Sequence, residues 1–279
     1  MSRTTRAQPD GPFTERTPRV AAARRLLRRR NRDADGRFLV EGAQAVHEAI
    51  RYGTVLELFV TERAARRHPD LVEACGARMS LITERAAAGL SETVAPQGIV
   101  AVCGALSRPT ADALQGTRLA AVLAGVSDPG NAGTVIRVAD AAGAGAVILA
   151  GETVDPHNGK CVRASTGSIF HIALAVEPDP QRALGACHQA GLQILAADAG
   201  ADQDLDDLVD AGALATPTAW LFGSEAHGLD PDLLVAADHA VAIPLFGRAE
   251  SLNLACAAAI CLYASARAHR RRPASGPIT

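Results

Sequence analysis

From Leu119 onward the chain alternates between short apolar runs and longer stretches of helical period. The apolar runs are Leu119 to Val126, Ala146 to Ala150, His171 to Val176, Gln193 to Ala197, Ala219 to Phe222 and Ala240 to Leu245. Runs of this length without polar alternation predict strands covered on both faces. With helices between most of them, the pattern predicts an α/β fold built on a mostly parallel sheet. The first part of the chain alternates less regularly. A basic helix is expected over Pro18 to Arg30, followed by a strand at FLVEG, a helix at AQAVHEAIRYG and a strand at VLELFV. A short helix around Leu71 to Cys75, a strand at MSLI, a helix at TERAAAGL and a strand at IVAVC complete a small α/β domain. The seam is SRPTADALQG, Ser107 to Gly116, which carries a proline, polar residues and no clear period.

Composition changes this picture in two places. The 279 residues are 48% hydrophobic, enough for two packed cores, and the net charge of -2 conceals an asymmetry. Residues 1–32 hold ten arginines against Asp10 and Glu15, while Lys160 is the only lysine in the chain. Such an arm suits an anionic partner, nucleic acid above all, and equally suits a solvated tail. The six cysteines form no CxxC pair and have no histidine at ligand spacing, so neither a zinc site nor a disulfide framework is expected, which fits the cytoplasm. The first thirty residues lack the apolar core of a secretory leader. Leu252 to Ala266 is too short and alanine-rich to span a bilayer and reads as a buried helix, so no membrane partner is expected.

Three stretches carry candidate chemistry. In the first, a strand runs into SDPGNAGTVIRVADAAGA, where Asp128 or Asn131 can cap a helix and the glycines admit a close backbone or ligand. The spacing meets neither GxGxxG nor GxxxxGK[ST], so no dinucleotide or P-loop fingerprint is present. Arg137 follows Gly133 by one helical turn. It is placed either to grip a phosphate or to form an ordinary surface ion pair. The second stretch, LFGSEAHGLDPDLL, ends a strand in Gly223, holds Glu225 and Gly228 in a tight loop, and opens a helix at Asp230 and Pro231. The third runs IPLFGRAESLN into an alanine-rich helix over Leu252 to Ala268, with Ser251 as an N-cap candidate.

The order NxGxxxR, FGSExxGL, then IPL with ESLN resembles the three motifs of the SpoU/TrmH family of RNA ribose 2′-O-methyltransferases, in the SPOUT superfamily. VRASTGSIF, Val162 to Phe170, resembles that family's segment between the first and second motifs, and FLVEGAQAVHEAI resembles the ribosomal-protein-like (L30e-like) substrate-binding domain often found ahead of it. The resemblance implies a trefoil-knotted α/β methyltransferase domain, S-adenosylmethionine as cofactor, no metal, and a homodimer. It carries the catalytic roles onto Arg137, Asn131, Glu225, Ser251 and Asn253. Cofactor-binding falls on Ala197, Gly223, Gly228, Ile243, Leu245 and Leu252. RNA contacts fall on Arg137, Arg163 and the basic residues Arg28, Arg29 and Arg30. His157, His171 and His227 receive no role. The expected organisation is a basic arm (1–17), an RNA-binding domain (18–106), a linker (107–116), the methyltransferase domain (117–268) and a basic tail (269–279). Ribosomal RNA is the expected substrate, with transfer RNA second. A ribosome-binding protein without catalysis would keep the fold but lose Asn131, Arg137 or Asn253, all present here. A nicotinamide oxidoreductase fits the alternation and lacks the glycine fingerprint.

Overall fold

The computed structural model describes residues 11–270, so the first ten residues of the expected arm and most of the expected tail lie outside the described residues. The chain begins with α1 (Pro18–Arg25), α2 (Arg29–Asp35), β1 (Arg37–Glu41), α3 (Ala43–Tyr52), β2 (Val55–Val60), α4 (Glu62–Arg67), α5 (Pro69–Cys75), β3 (Met79–Leu81), α6 (Glu84–Gly89) and β4 (Ile99–Gly104). It continues through α7 (Thr110–Leu114), β5 (Leu119–Ala124), α8 (Pro129–Ala142), β6 (Ala146–Ala150), α9 (Gly159–Ser165), β7 (Ala173–Glu177), α10 (Pro180–Gln189) and β8 (Gln193–Ala197). The last elements are β9 (Gln203–Asp204), α11 (Leu205–Asp210), β10 (Thr218–Phe222), α12 (Pro231–Ala236), β11 (His239–Ala242) and α13 (Leu254–Arg270). Among the described residues these form two compact units: residues 11–106 with Asp155–His171, and Ser107–Val154 with residues 172–270.

The first unit is built on a four-stranded sheet in the order β1-β4-β2-β3. Its outer pairs differ, since β4 runs antiparallel to β1 and β2 while β3 is parallel to β2. The expected basic helix over Pro18 to Arg30 is broken in two. Leu26 turns inward to 3% exposure and Arg28 takes an extended backbone ahead of α2. Arg32 is buried as well. Its guanidinium donates to Asp155 Oδ2 through Nε at 2.7 Å and Nη2 at 2.6 Å, and through Nη1 to the Leu26 and Leu27 carbonyls at 2.9 and 3.0 Å. Burial opposes the charge of Asp155, but hydrogen bonds from His157 and the Arg32 guanidinium outweigh it and hold that carboxyl down at about 2. Residues 155–171 therefore pack with the first unit, although VRASTGSIF lies between the motifs of the second along the chain. His157 is structural in the same way, its Nε2 accepting the Leu106 N–H at 3.0 Å and its ring lying 4.6 Å from that of Phe38.

The second unit is a seven-stranded sheet in the order β7-β6-β5-β10-β8-β11-β9, with every pair parallel. β5, β6 and β10 are buried along their whole length, as unbroken apolar runs require. One face is covered by α7, α10 and α12, whose side chains join a core that includes Val122, Ile148, Leu184 and Leu221. The expected linker thus carries a helix, α7, with Ala113 and Leu114 buried. On the other face α13 packs against α8, β5 and β10. The Trp220 indole N–H, wholly buried, donates to Ser265 Oγ at 2.9 Å and ties this helix to the central strand. The strand expected over Ala240 to Leu245 ends at Ala242, because Pro244 has no N–H for a ladder. Residues 243–253 have no helix or strand. No helix among the described residues is long and apolar enough to cross a membrane.

Candidate active site

Three loops at the carboxyl ends of strands in the second unit build one site. The first follows β5. Asp128 caps α8 by accepting the Asn131 N–H at 2.8 Å, with Pro129 in the first turn, where its missing N–H costs nothing. Asn131 therefore sits in that first turn and not at the cap. Its Nδ2 donates to Glu225 Oε1 at 2.9 Å.

The second loop follows β10. Ser224 and Gly228 exchange backbone hydrogen bonds of 2.9 and 3.0 Å, closing a tight turn that presents Glu225. Gly223 stands where any Cβ would overlap the Gly228 carbonyl, so glycine is required there, and Gly228 itself has a left-handed φ of 68°. Glu225 Oε2 also accepts the Ser127 N–H at 3.4 Å. The third loop, residues 243–253, leads into α13. Its cap is Asn253, whose Oδ1 accepts the Ala255 N–H at 2.9 Å, rather than the expected Ser251. The same amide donates through Nδ2 to Asn131 Oδ1 at 3.2 Å. Glu225, Asn131 and Asn253 thus form one hydrogen-bonded chain linking all three loops.

Beside this chain lies a cavity of about 260 Å³. Ala197, Gly223, Gly228, Ile243, Leu245 and Leu252 line it, as do Glu225 and Ser251. These are the six residues that the resemblance assigns to the cofactor and two of those it assigns to catalysis. Asp198, Val241 and Leu254 line it too and escaped the sequence reading. Asp198 directly follows the candidate Ala197 and Leu254 directly follows the candidate Asn253, so adjacency points to both. The walls suit a nucleoside sulfonium: apolar side chains for the faces of a base, and exposed loop backbone and carboxylates for its polar edges.

Other assigned residues stand apart. Arg137 is exposed on α8, six residues and about 9 Å beyond Asn131, and does not line the cavity. Arg163 lies in the first unit, with Nη1 3.5 Å from Glu41 and 3.9 Å from Glu92. Arg28, Arg29 and Arg30 are exposed in that unit. Among the described residues no group of three or more His, Cys, Asp or Glu side chains could hold a metal ion. Three of the buried thiols are poor nucleophiles, since burial pushes Cys103, Cys187 and Cys261 up to about 12.

Comparison with known proteins shows the family. Residues 118–263 match the SpoU rRNA Methylase family, and residues 17–101 match the MRM3-like substrate binding domain. The chain is 34% identical to the 23S rRNA (guanosine(2553)-2′-O)-methyltransferase RlmP of Bacillus subtilis, over 86% of this chain and 92% of that one. It is 32% identical to a 23S rRNA (uridine(2479)-2′-O)-methyltransferase of Streptomyces viridochromogenes, covering 91% of each. An AdoMet-bound rRNA methyltransferase from Sinorhizobium meliloti superposes with a TM-score of 0.77 at 30% identity, covering 92% of this chain and 97% of that one. The chain belongs to the SpoU rRNA methylase family and is an S-adenosylmethionine-dependent RNA 2′-O-methyltransferase.

Proposed function

We propose that this chain methylates a ribose 2′-oxygen of 23S ribosomal RNA. The observation that carries the reading is the gathering of the six cofactor candidates around one cavity that Glu225 of the Asn131–Glu225–Asn253 chain also lines. The relatives named above are named for guanosine and for uridine, so the ribose and the RNA are what their targets share. The cofactor supplies a methyl group on a positively charged sulfur, an electrophile for which alignment is the main demand. Gly223, Gly228, Ile243, Leu245 and Leu252 hold it, with Ala197 beneath the adenine. Arg137 grips the phosphate next to the target ribose and stabilises the negative charge that develops on the 2′-oxygen as its proton passes to solvent. A guanidinium serves better there as a fixed charge than as a base. Asn131, Glu225, Ser251 and Asn253 position the ribose.

On this reading residues 18–106 form the RNA-binding domain, using Arg28, Arg29 and Arg30 with Arg163 as a further phosphate contact, and residues 117–268 form the methyltransferase domain with the family's knot. The protein acts in the cytoplasm as a homodimer. The exposed Ile260 and Tyr263 on α13 support the dimer as an apolar face for a second copy. The test is methyl incorporation from labelled S-adenosylmethionine into purified 23S and 16S rRNA and bulk transfer RNA, followed by mapping of 2′-O-methyl positions. Label confined to 23S rRNA supports the reading. Label in transfer RNA alone sinks the substrate assignment and leaves the chemistry standing.

A further inference from the structure

We propose that Asp198 is the acceptor for the ribose diol of the cofactor. This rests on the reading of the cavity as the S-adenosylmethionine site. Two carboxylates line that cavity, Asp198 and Glu225, and their situations differ. Glu225 is engaged by protein donors, the Asn131 amide and the Ser127 N–H. The backbone of Asp198 is fixed, its N–H donating to the Val241 carbonyl at 3.1 Å and its carbonyl accepting from Ala201 at 3.3 Å. Its half-buried carboxylate receives no hydrogen bond and no ion pair from the described residues. The lining contains no Lys, Arg or His to neutralise it. A donor brought by the ligand is the partner this group lacks.

The cofactor carries three sets of donors: the adenine amino group, the two ribose hydroxyls and the ammonium group. Sheet order selects among them. β10 lies between β5 and β8, so Asp198 follows a strand one spacing, roughly 5 Å, from the strand that leads to Glu225 and two spacings, roughly 10 Å, from the strand that leads to Asn131. The reacting methyl belongs at the Asn131–Glu225 end. Asp198 belongs to the other end, between Ala197 and Ala199 and next to Val241, where the apolar lining suits the base. The ribose is bonded directly to that base, whereas the ammonium lies on the far side of the sulfur. Two hydroxyls on neighbouring carbons match the two oxygens of one carboxylate, and hydrogen bonds to an ionised acceptor are the stronger kind.

Calorimetric binding to the full-length protein tests this, using S-adenosylmethionine and 5′-methylthioadenosine, which keeps the base, ribose and sulfur but lacks the amino-acid arm. Asp198→Ala is expected to weaken both ligands by similar factors of about tenfold or more. Asp198→Asn, of the same shape and with one acceptor kept, is expected to fall between, with an unchanged ligand-free melting temperature showing that the fold is intact. Loss of affinity for S-adenosylmethionine alone would mean that the carboxylate meets the ammonium, and equal binding by all three proteins would mean that it meets nothing; either overturns the assignment. If the wild-type protein binds neither ligand, the cavity is not the cofactor site and the assignment falls with that reading.

Discussion

Both ends of the Asn131 amide are used, one donating to Glu225 and the other accepting from Asn253. That arrangement fixes which end of the amide is nitrogen, and it makes a conservative change severe. Asn131→Asp would set a carboxylate against Glu225, replacing attraction by repulsion. We expect methyl transfer to fall by at least about tenfold, with S-adenosylmethionine affinity changed much less, since Asn131 does not line the cavity. Single-turnover rates beside binding isotherms would show the split, and an equal loss of both would contradict it. Arg137→Ala should cost about a hundredfold or more in rate, the usual scale for removing a charge-stabilising donor, with cofactor affinity again intact. Gly223→Ala should do the reverse. Its Cβ meets the Gly228 backbone, so the turn that shapes the cavity has to open and cofactor binding is lost. A Gly223→Ala protein that binds S-adenosylmethionine normally would show that the turn can relax.

Among the elements, residues 155–171 carry the most physical consequence. Asp155 is held at about 2 against an ordinary value of 3.8, so it contributes stability above roughly pH 4 that is lost as pH falls through 4 towards 2. The shift corresponds to something on the order of 2 kcal/mol. Thermal melts between pH 2 and 5 should be steeper for the wild type than for Asp155→Asn, which has no proton to gain. Parallel curves would show that the ion pair contributes nothing. Arg32 was not separable in the sequence from the arginines around it, because one more arginine in an arginine-rich stretch gives no sign of burial and its partner lies 123 residues away. The strands of the second unit were legible, with Ala146–Ala150 and Gln193–Ala197 found at their observed bounds, because fully buried strands leave unbroken apolar runs. Less was visible where no apolar period exists. α4, ERAARR, is almost all charge, and α7 sits in a polar seam. Of the site, the loops were recognisable from motif order. Their hydrogen-bonded connection through Asn253 was not, since Ser251 and Asn253 are equally good capping residues by type.

At the scale of the whole molecule, charge and assembly are the measurable quantities. If Arg28, Arg29 and Arg30 contact phosphates, replacing all three by Ala should flatten the dependence of log affinity on log salt by about two to three units, from roughly 0.7 to 0.9 per contact. Filter binding of rRNA fragments at several salt concentrations reads that slope, and an unchanged slope would place the RNA elsewhere. If the protein is the proposed homodimer, Tyr263→Asp together with Ile260→Asp should convert it to a monomer by light scattering, and a wild type that is already monomeric would overturn the proposal. The order of synthesis adds a constraint of a different kind. Arg32 and its partner Asp155 are 123 residues apart, a gap that a ribosome making about 5–20 residues per second takes roughly 6 to 25 s to fill. The first unit therefore cannot be completed until residues 155–171 have been made, after β5 and β6 of the second unit have emerged. During that interval Arg32 is a buried-site charge without its counter-ion, exposed to whatever polyanion is at hand, and on a ribosome the polyanion at hand is rRNA.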